Sequence, residues 1–167
     1  MVCGVRPAFL LAAVVARDDS WTAHCIALSD YVGQADLNVT VNSVFGSLLK
    51  PTAELLAVDG GSSVSSAQVV KVDRLDRVWP SLIGVDTQSA YLKVDTQGSD
   101  ASVLRGAEQV MSLIDGIQLE MAFVAGYEGQ PLFTSVHDAL VGEGFQLSRI
   151  DEAFRDFERD VLREVDA

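Results

Sequence analysis

The chain has 167 residues, of which 49% are hydrophobic and 22% are charged. This composition excludes a disordered chain, and the length is enough for one domain, spanning residues 1–167, with a buried core. The formal net charge of −12 argues against nucleic acid and against anionic membranes as partners, because an acidic surface repels phosphate groups.

The first predicted element is an apolar helix within residues 1–20. Residues 7–16 form an apolar run behind Arg6. This run is too short to span a membrane, and its resemblance to a signal-peptide core is the alternative interpretation, under which the chain is a secreted binding domain. We favour the helix.

The two cysteines, Cys3 and Cys25, have no CxxC partner and no neighbouring histidine cluster. They therefore predict neither a disulfide framework nor a zinc site. Reduced thiols fit a cytoplasmic location. His24 and His137 are isolated in the sequence and are poor candidates for catalysis.

The first half of the chain predicts mainly short strands. Strands are predicted at Trp21–Ile26, at Ala35–Val41 and at Gln68–Val72. Residues 59–66 are rich in glycine and serine and predict a flexible surface loop. A short helix is expected near Val78–Leu82.

The second half alternates between strands and helices. In chain order, the pattern predicts a strand from Tyr91 to Val94, a helix from Asp100 to about Ile114, a strand at Ile117–Ala122, a helix at Leu132–Val141, a strand at Phe145–Ile150, an acidic loop or short helix at Asp151–Asp160 and a strand at Leu162–Ala167. This alternation predicts parallel α/β units. The strands at Gln68–Val72 and at the carboxyl terminus are expected to add a mixed edge.

A polar turn that contains candidate functional residues follows the strand at Tyr91. Asp95 and Gln97 come directly after that strand, where open α/β sheets bind ligands. Glu120 is expected near the end of the next parallel strand, which would bring it close to Asp95. Two such carboxylates could hold a divalent cation or share a proton. The alternatives are a helix-capping role for Asp95 and a structural hydrogen bond for Glu120.

Several motifs in this region resemble one family. The segments Lys93-Val-Asp-Thr-Gln-Gly98 and Val103-Leu-Arg-Gly-Ala107, followed by Ile117-Gln-Leu-Glu120, Tyr127-Glu-Gly-Gln130 and Phe154-Arg-Asp156, resemble the FkbM-type methyltransferases in order and spacing. The resemblance implies an S-adenosylmethionine-dependent enzyme with an α/β, Rossmann-like class I methyltransferase fold.

The resemblance also implies roles for individual residues. The catalytic candidates are Asp95, Gln97 and Glu120, with Asp95 orienting the acceptor or acting as general base. The cofactor-binding candidates are Ala27, Leu28 and Asp95, and the substrate-binding candidates are Asn42, Ser43 and Tyr127. The alternatives are loop capping for Asn42 and Ser43 and packing of its own loop for Tyr127. No metal ligand is assigned by the resemblance.

The chain also departs from the family pattern. No glycine-rich turn precedes Trp21, although family members carry one there for the cofactor. The dipeptide Ser99-Asp100 replaces a bulky residue followed by glutamate. We therefore expect an incomplete fold that lacks the first strands and the cofactor loop. The absent strands would lie beside the Tyr91 strand, so either a longer gene product, pairing with another chain or a rearranged fold is expected.

The function implied is methyl transfer from S-adenosylmethionine to a hydroxyl oxygen of a sugar or small secondary metabolite. The alternative is a non-catalytic, methyltransferase-like fragment or pseudoenzyme that acts as an interaction module. In that case the strand edges would promote formation of a homo-oligomer.

Overall fold

A computed structural model of the chain describes residues 22–83 and 89–167. Across these residues the protein is a mixed α/β structure with one three-stranded and one four-stranded sheet. The apolar helix predicted within residues 1–20 lies outside the described residues.

The three-stranded sheet contains β1 (Ala27–Leu28), β2 (Gly33–Thr40) and β3 (Val64–Asp73), in the order β1-β3-β2. Strands β2 and β3 form an antiparallel hairpin, whereas β1 pairs with the end of β3 in parallel. The predicted strand at Trp21–Ile26 is wrong in position, because residues 22–26 precede the pairing with β3.

The loop predicted at residues 59–66 is also wrong. Residues Gly60–Ser62 form a 3-10 helix, and β3 begins at Val64. The Asp59 carboxylate accepts a hydrogen bond of 2.7 Å from the Gly61 N–H, and the Ser62 side chain is fully buried. Capping therefore orders a segment whose composition indicated a loop.

The four-stranded sheet contains β4 (Ala90–Val94), β5 (Ile114–Ala122), β6 (Asp151–Asp156) and β7 (Val161–Asp166). Their order is β4-β5-β7-β6. The parallel pairing of β4 with β5 agrees with the predicted α/β unit, and β7 pairs antiparallel with both β5 and β6. The mixed edge expected from the carboxyl-terminal strand is therefore present.

The strand predicted at Phe145–Ile150 is wrong, and β6 occupies the segment that was expected to be an acidic loop or short helix. Strand β6 lies at the sheet edge. Its charges are tolerated because they are largely exposed and paired, as in the 2.9 Å hydrogen bond that Arg155 donates to Glu152. Charged side chains are common on edge strands.

Four α-helices are present in the described residues: α1 (Ala53–Val58), α2 (Leu75–Leu82), α3 (Asp100–Arg105) and α4 (Phe133–Gly142). The predicted helix at Leu132–Val141 is confirmed as α4. The continuous helix from Asp100 to Ile114 is wrong, because α3 ends at Arg105 and a 3-10 helix follows at Glu108–Leu113. Between them, Gly106 lies so close to the Ser29 carbonyl that a Cβ atom would meet its oxygen at 2.1 Å.

The hydrophobic core lies between α2, α3, α4 and the four-stranded sheet. Leu119 of β5 and Val165 of β7 are fully buried in it, and Met121 is nearly so. Complete burial of an aliphatic side chain stabilises the fold by about 1.5–3 kcal/mol. Because side chains alternate across a strand, the residue between Leu119 and Met121, which is Glu120, projects from the opposite face.

Candidate functional site

The register of β4 and β5 places two candidate carboxylates side by side. Val94 pairs with Leu119, so the next residue of each chain segment is Asp95 or Glu120. The two strands are parallel, and Asp95 directly follows the carboxyl end of β4. The predicted proximity of Asp95 and Glu120 is therefore confirmed, whereas their roles remain predictions.

The side chain of Gln97 joins these two carboxylates. Its Nε2 donates to Glu120 Oε2 at 2.7 Å and to Asp95 Oδ1 at 3.1 Å. A primary amide has two N–H groups, so it can serve both acceptors at once. The structure thus brings together all three residues that were predicted to be catalytic.

The backbone of Gln97 is held in an uncommon conformation. Its φ angle is 53°, and that of the following Gly98 is 93°. A non-glycine residue at positive φ is uncommon and persists when surrounding contacts fix it. One such contact is the hydrogen bond of 2.7 Å that the Ser47 hydroxyl donates to the Gln97 carbonyl oxygen.

Tyr127 closes the site from the loop after β5. The residue is 1% exposed, and its hydroxyl lies 2.9 Å from Gln97 Oε1 and 3.2 Å from the Phe45 carbonyl oxygen. Burial first, and then the nearby Glu164 carboxylate, raise the pKa of Tyr127 well above its usual range. Tyr127 therefore stays a neutral hydrogen-bond donor at physiological pH.

The tyrosine ring also explains the glycine of the turn. A Cβ atom on Gly98 would lie 2.9 Å from Cδ2 and 3.1 Å from Cβ of Tyr127. Both the positive φ and the contact with the ring exclude a larger residue without rearrangement. This contact and the positive φ explain why glycine occupies this position of the turn.

Glu120 has an unusual charge environment. Burial, followed by the carboxylates of Glu164, Asp95, Asp100 and Asp166, raises the pKa of Glu120 to about 8. Each neighbouring negative charge disfavours ionisation, as does removal from water. Glu120 is therefore mainly protonated at pH 7. A protonated Glu120 is a poor general base, whereas the Asp95 side chain is 56% exposed.

Two further acidic residues belong to the site, and sequence reasoning gave one of them little weight and missed the other. Asp100, at the start of α3, is buried, and burial raises its pKa to about 6. It accepts a hydrogen bond of 3.4 Å from the Thr96 N–H. Glu164 of β7, whose pKa is raised chiefly by burial, accepts from Gln130 at 3.4 Å. The motif Tyr127–Gln130 marked the region of Gln130, but nothing in the sequence marked Glu164.

The other predicted residues are placed less directly. Ala27 is buried in β1 and Leu28 is half-buried beside it. Asn42 caps the 3-10 helix Ser43–Phe45, because its Oδ1 accepts from the Val44 N–H at 3.4 Å. This contact matches the loop-capping alternative for Asn42. Ser43 is exposed.

A cavity of about 490 Å³ opens beside Ser99, at the end of the turn that carries Gln97, but Asp95, Gln97, Glu120 and Tyr127 are not among the residues that line it. It lies between the β2–β3 hairpin, the segment near Lys50 and the start of α3. Its lining combines the apolar residues Ala35, Leu48, Leu49 and Ala67 with the polar residues Ser29, Asp30, Asp36, Asn38, Lys50, Ser99 and Ser102 and with Tyr31. Hydroxyl, amide and carboxylate groups of this kind bind ligands rich in hydroxyl groups.

The described residues contain neither a metal cluster nor a membrane-spanning helix. Within residues 22–83 and 89–167, no group of three or more histidine, cysteine, aspartate or glutamate residues is arranged to hold a metal ion. Among the helices of those same ranges, none combines the length and apolar character needed to cross a membrane.

Comparison with known proteins identifies the family. No curated protein and no solved structure matches the chain. The family model described as the methyltransferase FkbM domain matches residues 7–147, which is most of the chain. The match includes the turn at Asp95, strand β5 and the loop at Tyr127. The chain belongs to the FkbM methyltransferase domain family.

Proposed function

We propose that this domain transfers a methyl group from S-adenosylmethionine to a hydroxyl oxygen of a sugar or small secondary metabolite. When bound, S-adenosylmethionine supplies an electrophilic methyl group on a positively charged sulfur. The observation that supports the proposal is the Gln97 amide, which joins the carboxylates of Asp95 and Glu120 in a family that carries a methyltransferase domain. A cytoplasmic location is part of the proposal, because two cysteines without a CxxC pair fit a reducing compartment.

The charge of the site fits a cationic cofactor. The pKa of Glu120 is raised by burial and by four surrounding carboxylates. A positive charge placed near these groups would offset their mutual repulsion. Asp95 and Glu120 are therefore the residues that would face the sulfonium end. Ala27 is buried, so in the adenine role that the resemblance implies it would contribute backbone atoms only.

The protein's own residues would act mainly by positioning. Methyl transfer is an in-line displacement, and its rate depends on the alignment of the acceptor oxygen and on removal of the hydroxyl proton. The exposed Asp95 carboxylate is the group able to accept that proton. Gln97 fixes its orientation through the 3.1 Å hydrogen bond, and the protonated Glu120 adds no competing negative charge.

The cavity beside Ser99 supports the choice of acceptor. It is large enough for a sugar, and it presents hydroxyl, amide, carboxylate and ammonium groups beside apolar side chains. Tyr31, which is 42% exposed, adds an aromatic ring. Aromatic rings and carboxylates together suit a compact, polyhydroxylated ligand better than an extended apolar one.

Calorimetry tests the proposal directly. We expect S-adenosylmethionine to bind the chain of 167 residues. Transfer of a labelled methyl group to sugars or polyols should be lost in Asp95→Asn. Absence of cofactor binding to the wild-type chain would contradict the enzyme proposal.

A second candidate function is that of a non-catalytic interaction module. In the part of the chain that the structure describes, β4 pairs with β5 and has no strand on its other side. Tyr91 of β4 is 68% exposed. An unpaired edge can bind another strand, including one from a second copy of the chain. Light scattering tests this candidate, and a monomer at high protein concentration would contradict it.

A further inference from the structure

We propose that Tyr127 is a positioning residue that holds the Gln97 amide with its NH2 group toward Asp95 and Glu120. The catalytic consequence of this role rests on the proposed methyl transfer, but the role itself is a property of the folded chain. Tyr127 would act on the reaction only through Gln97.

The argument begins with the two ends of an amide. Gln97 can present either Oε1 or Nε2 to the carboxylates, and the two orientations have nearly the same shape. The Tyr127 hydroxyl lies 2.9 Å from Oε1. The other acceptor, the Phe45 carbonyl oxygen, is farther away at 3.2 Å, so the single phenol proton is donated to Gln97 and favours the oxygen at that end. The Nε2 group then faces Glu120 at 2.7 Å and Asp95 at 3.1 Å.

The opposite orientation would lose both of those hydrogen bonds. It would place Oε1 against the carboxylate of Asp95, where two acceptors meet without a proton between them. Only Glu120, when protonated, could donate to it. The orientation of the Gln97 amide is thus coupled to the protonation of Glu120. The Tyr127 hydroxyl favours the orientation in which Nε2 faces Glu120, and this orientation stabilises the ionised Glu120 carboxylate.

The surroundings of Tyr127 fit a role beyond filling space. The Gln130 side chain accepts from the Gly126 N–H at 2.7 Å and from the Tyr127 N–H at 3.1 Å, which fixes the loop. The ring contacts Gly98, so the hydroxyl cannot move away from the turn. A purely packing role would need the ring and not the hydroxyl.

Charged groups face Glu120 from each neighbouring element. They are Asp95 after β4, Asp100 at the start of α3, and Glu164 and Asp166 on β7. All of these are acidic and oppose ionisation of Glu120. Gln97 supplies the hydrogen-bond donor that favours ionisation, so loss of its orientation should leave the proton on Glu120 to a higher pH.

The test is a carbon NMR titration of the full chain labelled at glutamate side-chain carboxyl carbons, with no cofactor added. The Glu120 resonance is assigned by its disappearance in Glu120→Gln. In Tyr127→Phe the titration midpoint of Glu120 should rise by about half a pH unit or more, which corresponds to the loss of one hydrogen bond. Tyr91→Phe, which removes an exposed hydroxyl, should leave the midpoint unchanged. An unchanged midpoint in Tyr127→Phe overturns the proposal.

A second variant shows whether Tyr127 acts through Gln97. Asparagine tolerates positive φ but is one carbon shorter, so Gln97→Asn should raise the midpoint without touching the ring. The double variant should match Gln97→Asn alone, because the tyrosine then has no amide to orient. Additive shifts would overturn the proposal.

The wild-type chain offers an independent measurement if Tyr127→Phe does not fold. The nitrogen and proton resonances of the Gln97 side-chain amide should titrate with the midpoint of Glu120, and resonances that do not respond overturn the proposal. None of these measurements requires cofactor. Their failure therefore differs from failure of the proposed function, which would appear as absent cofactor binding with the titration coupling intact.

Discussion

Replacement of Glu120 by glutamine should stabilise the protein at high pH. The folded-state pKa of Glu120 is about 8, compared with an ordinary value of 4.5. The folded state therefore binds the proton more tightly than the unfolded state between these pH values. The stabilisation from this proton is complete below about pH 4.5 and is lost as pH rises toward 8.

The magnitude follows from the difference between the two pKa values, which is 8 − 4.5, or 3.5. At about 1.36 kcal/mol for each unit, this corresponds to an upper value of about 5 kcal/mol. Partial solvent access reduces it, so we expect Glu120→Gln to gain about 2–4 kcal/mol over the wild type at pH 9. At pH 5 the two proteins should agree within about 1 kcal/mol, because the introduced amide keeps an oxygen that accepts from the Gln97 donor.

Urea unfolding followed by circular dichroism at pH 5, 7 and 9 measures this difference. Glu128→Gln is the matched control, since Glu128 is an exposed glutamate of the loop that follows β5. It should show no such pH-dependent gain. If Glu120→Gln changes the free energy of unfolding equally at pH 5 and pH 9, or is less stable than the wild type at pH 9, the reasoning about Glu120 and the carboxylates around it is refuted.

Three further predictions concern the same region. Gly98→Ala should lower the free energy of unfolding by about 2–4 kcal/mol, because it adds strain at positive φ and a close contact with Tyr127. Gly129 also has positive φ but has open space around it, so Gly129→Ala should lower the free energy of unfolding by only about 1 kcal/mol. Equal losses in urea unfolding would contradict this. Asp95→Asn should lower kcat about 100-fold or more in a methyl-transfer assay without lowering stability. Leu119→Ala should cost about 2–5 kcal/mol in urea unfolding, and a loss below about 1 kcal/mol would contradict its burial in the core.

The central part of the fold was predictable because its pattern is local. The strand at Tyr91, the polar turn and the helix that begins at Asp100 each have a clear pattern of side chains, and the structure reproduces them as β4, the turn and α3. The parallel pairing followed from the strand–helix–strand order. The end of the helix near Gly106 could not be predicted in this way, because it depends on the approach of Ser29 from a distant part of the chain.

The errors occurred where charged or small residues obscured the pattern of a strand. Strand β6 has the sequence Asp-Glu-Ala-Phe-Arg-Asp, which contains too many charges to indicate a strand. Its pairing with β7 becomes favourable only because both strands are present and most of the charges remain in water. The serines at the start of β3 are similar: pairing with β2 stabilises residues that have little strand preference alone.

The identity of the site residues was predictable from the sequence, whereas their protonation states were not. The positions of Asp95, Gln97 and Glu120 at neighbouring strand ends were enough to predict that they lie close together. The raised pKa of Glu120 was not predictable, because its causes include Glu164, which reaches the site through the antiparallel register of β7. A register between distant strands has no local mark in the sequence.

Glu120 and the acidic residues around it lower the stability of the fold, and this favours a functional reason for their presence. Apolar residues at the positions of Glu120 and Glu164 would avoid the desolvation of two carboxyl groups, and the fold has a separate core that does not need them. Gln97 adds a second cost through its positive φ. Backbone strain and a group of acidic side chains within one turn and its neighbouring strand ends are expected where a ligand supplies positive charge. If Glu120→Gln gains stability while Asp95→Asn loses methyl transfer, the same cluster will have been shown to oppose folding and to support the reaction.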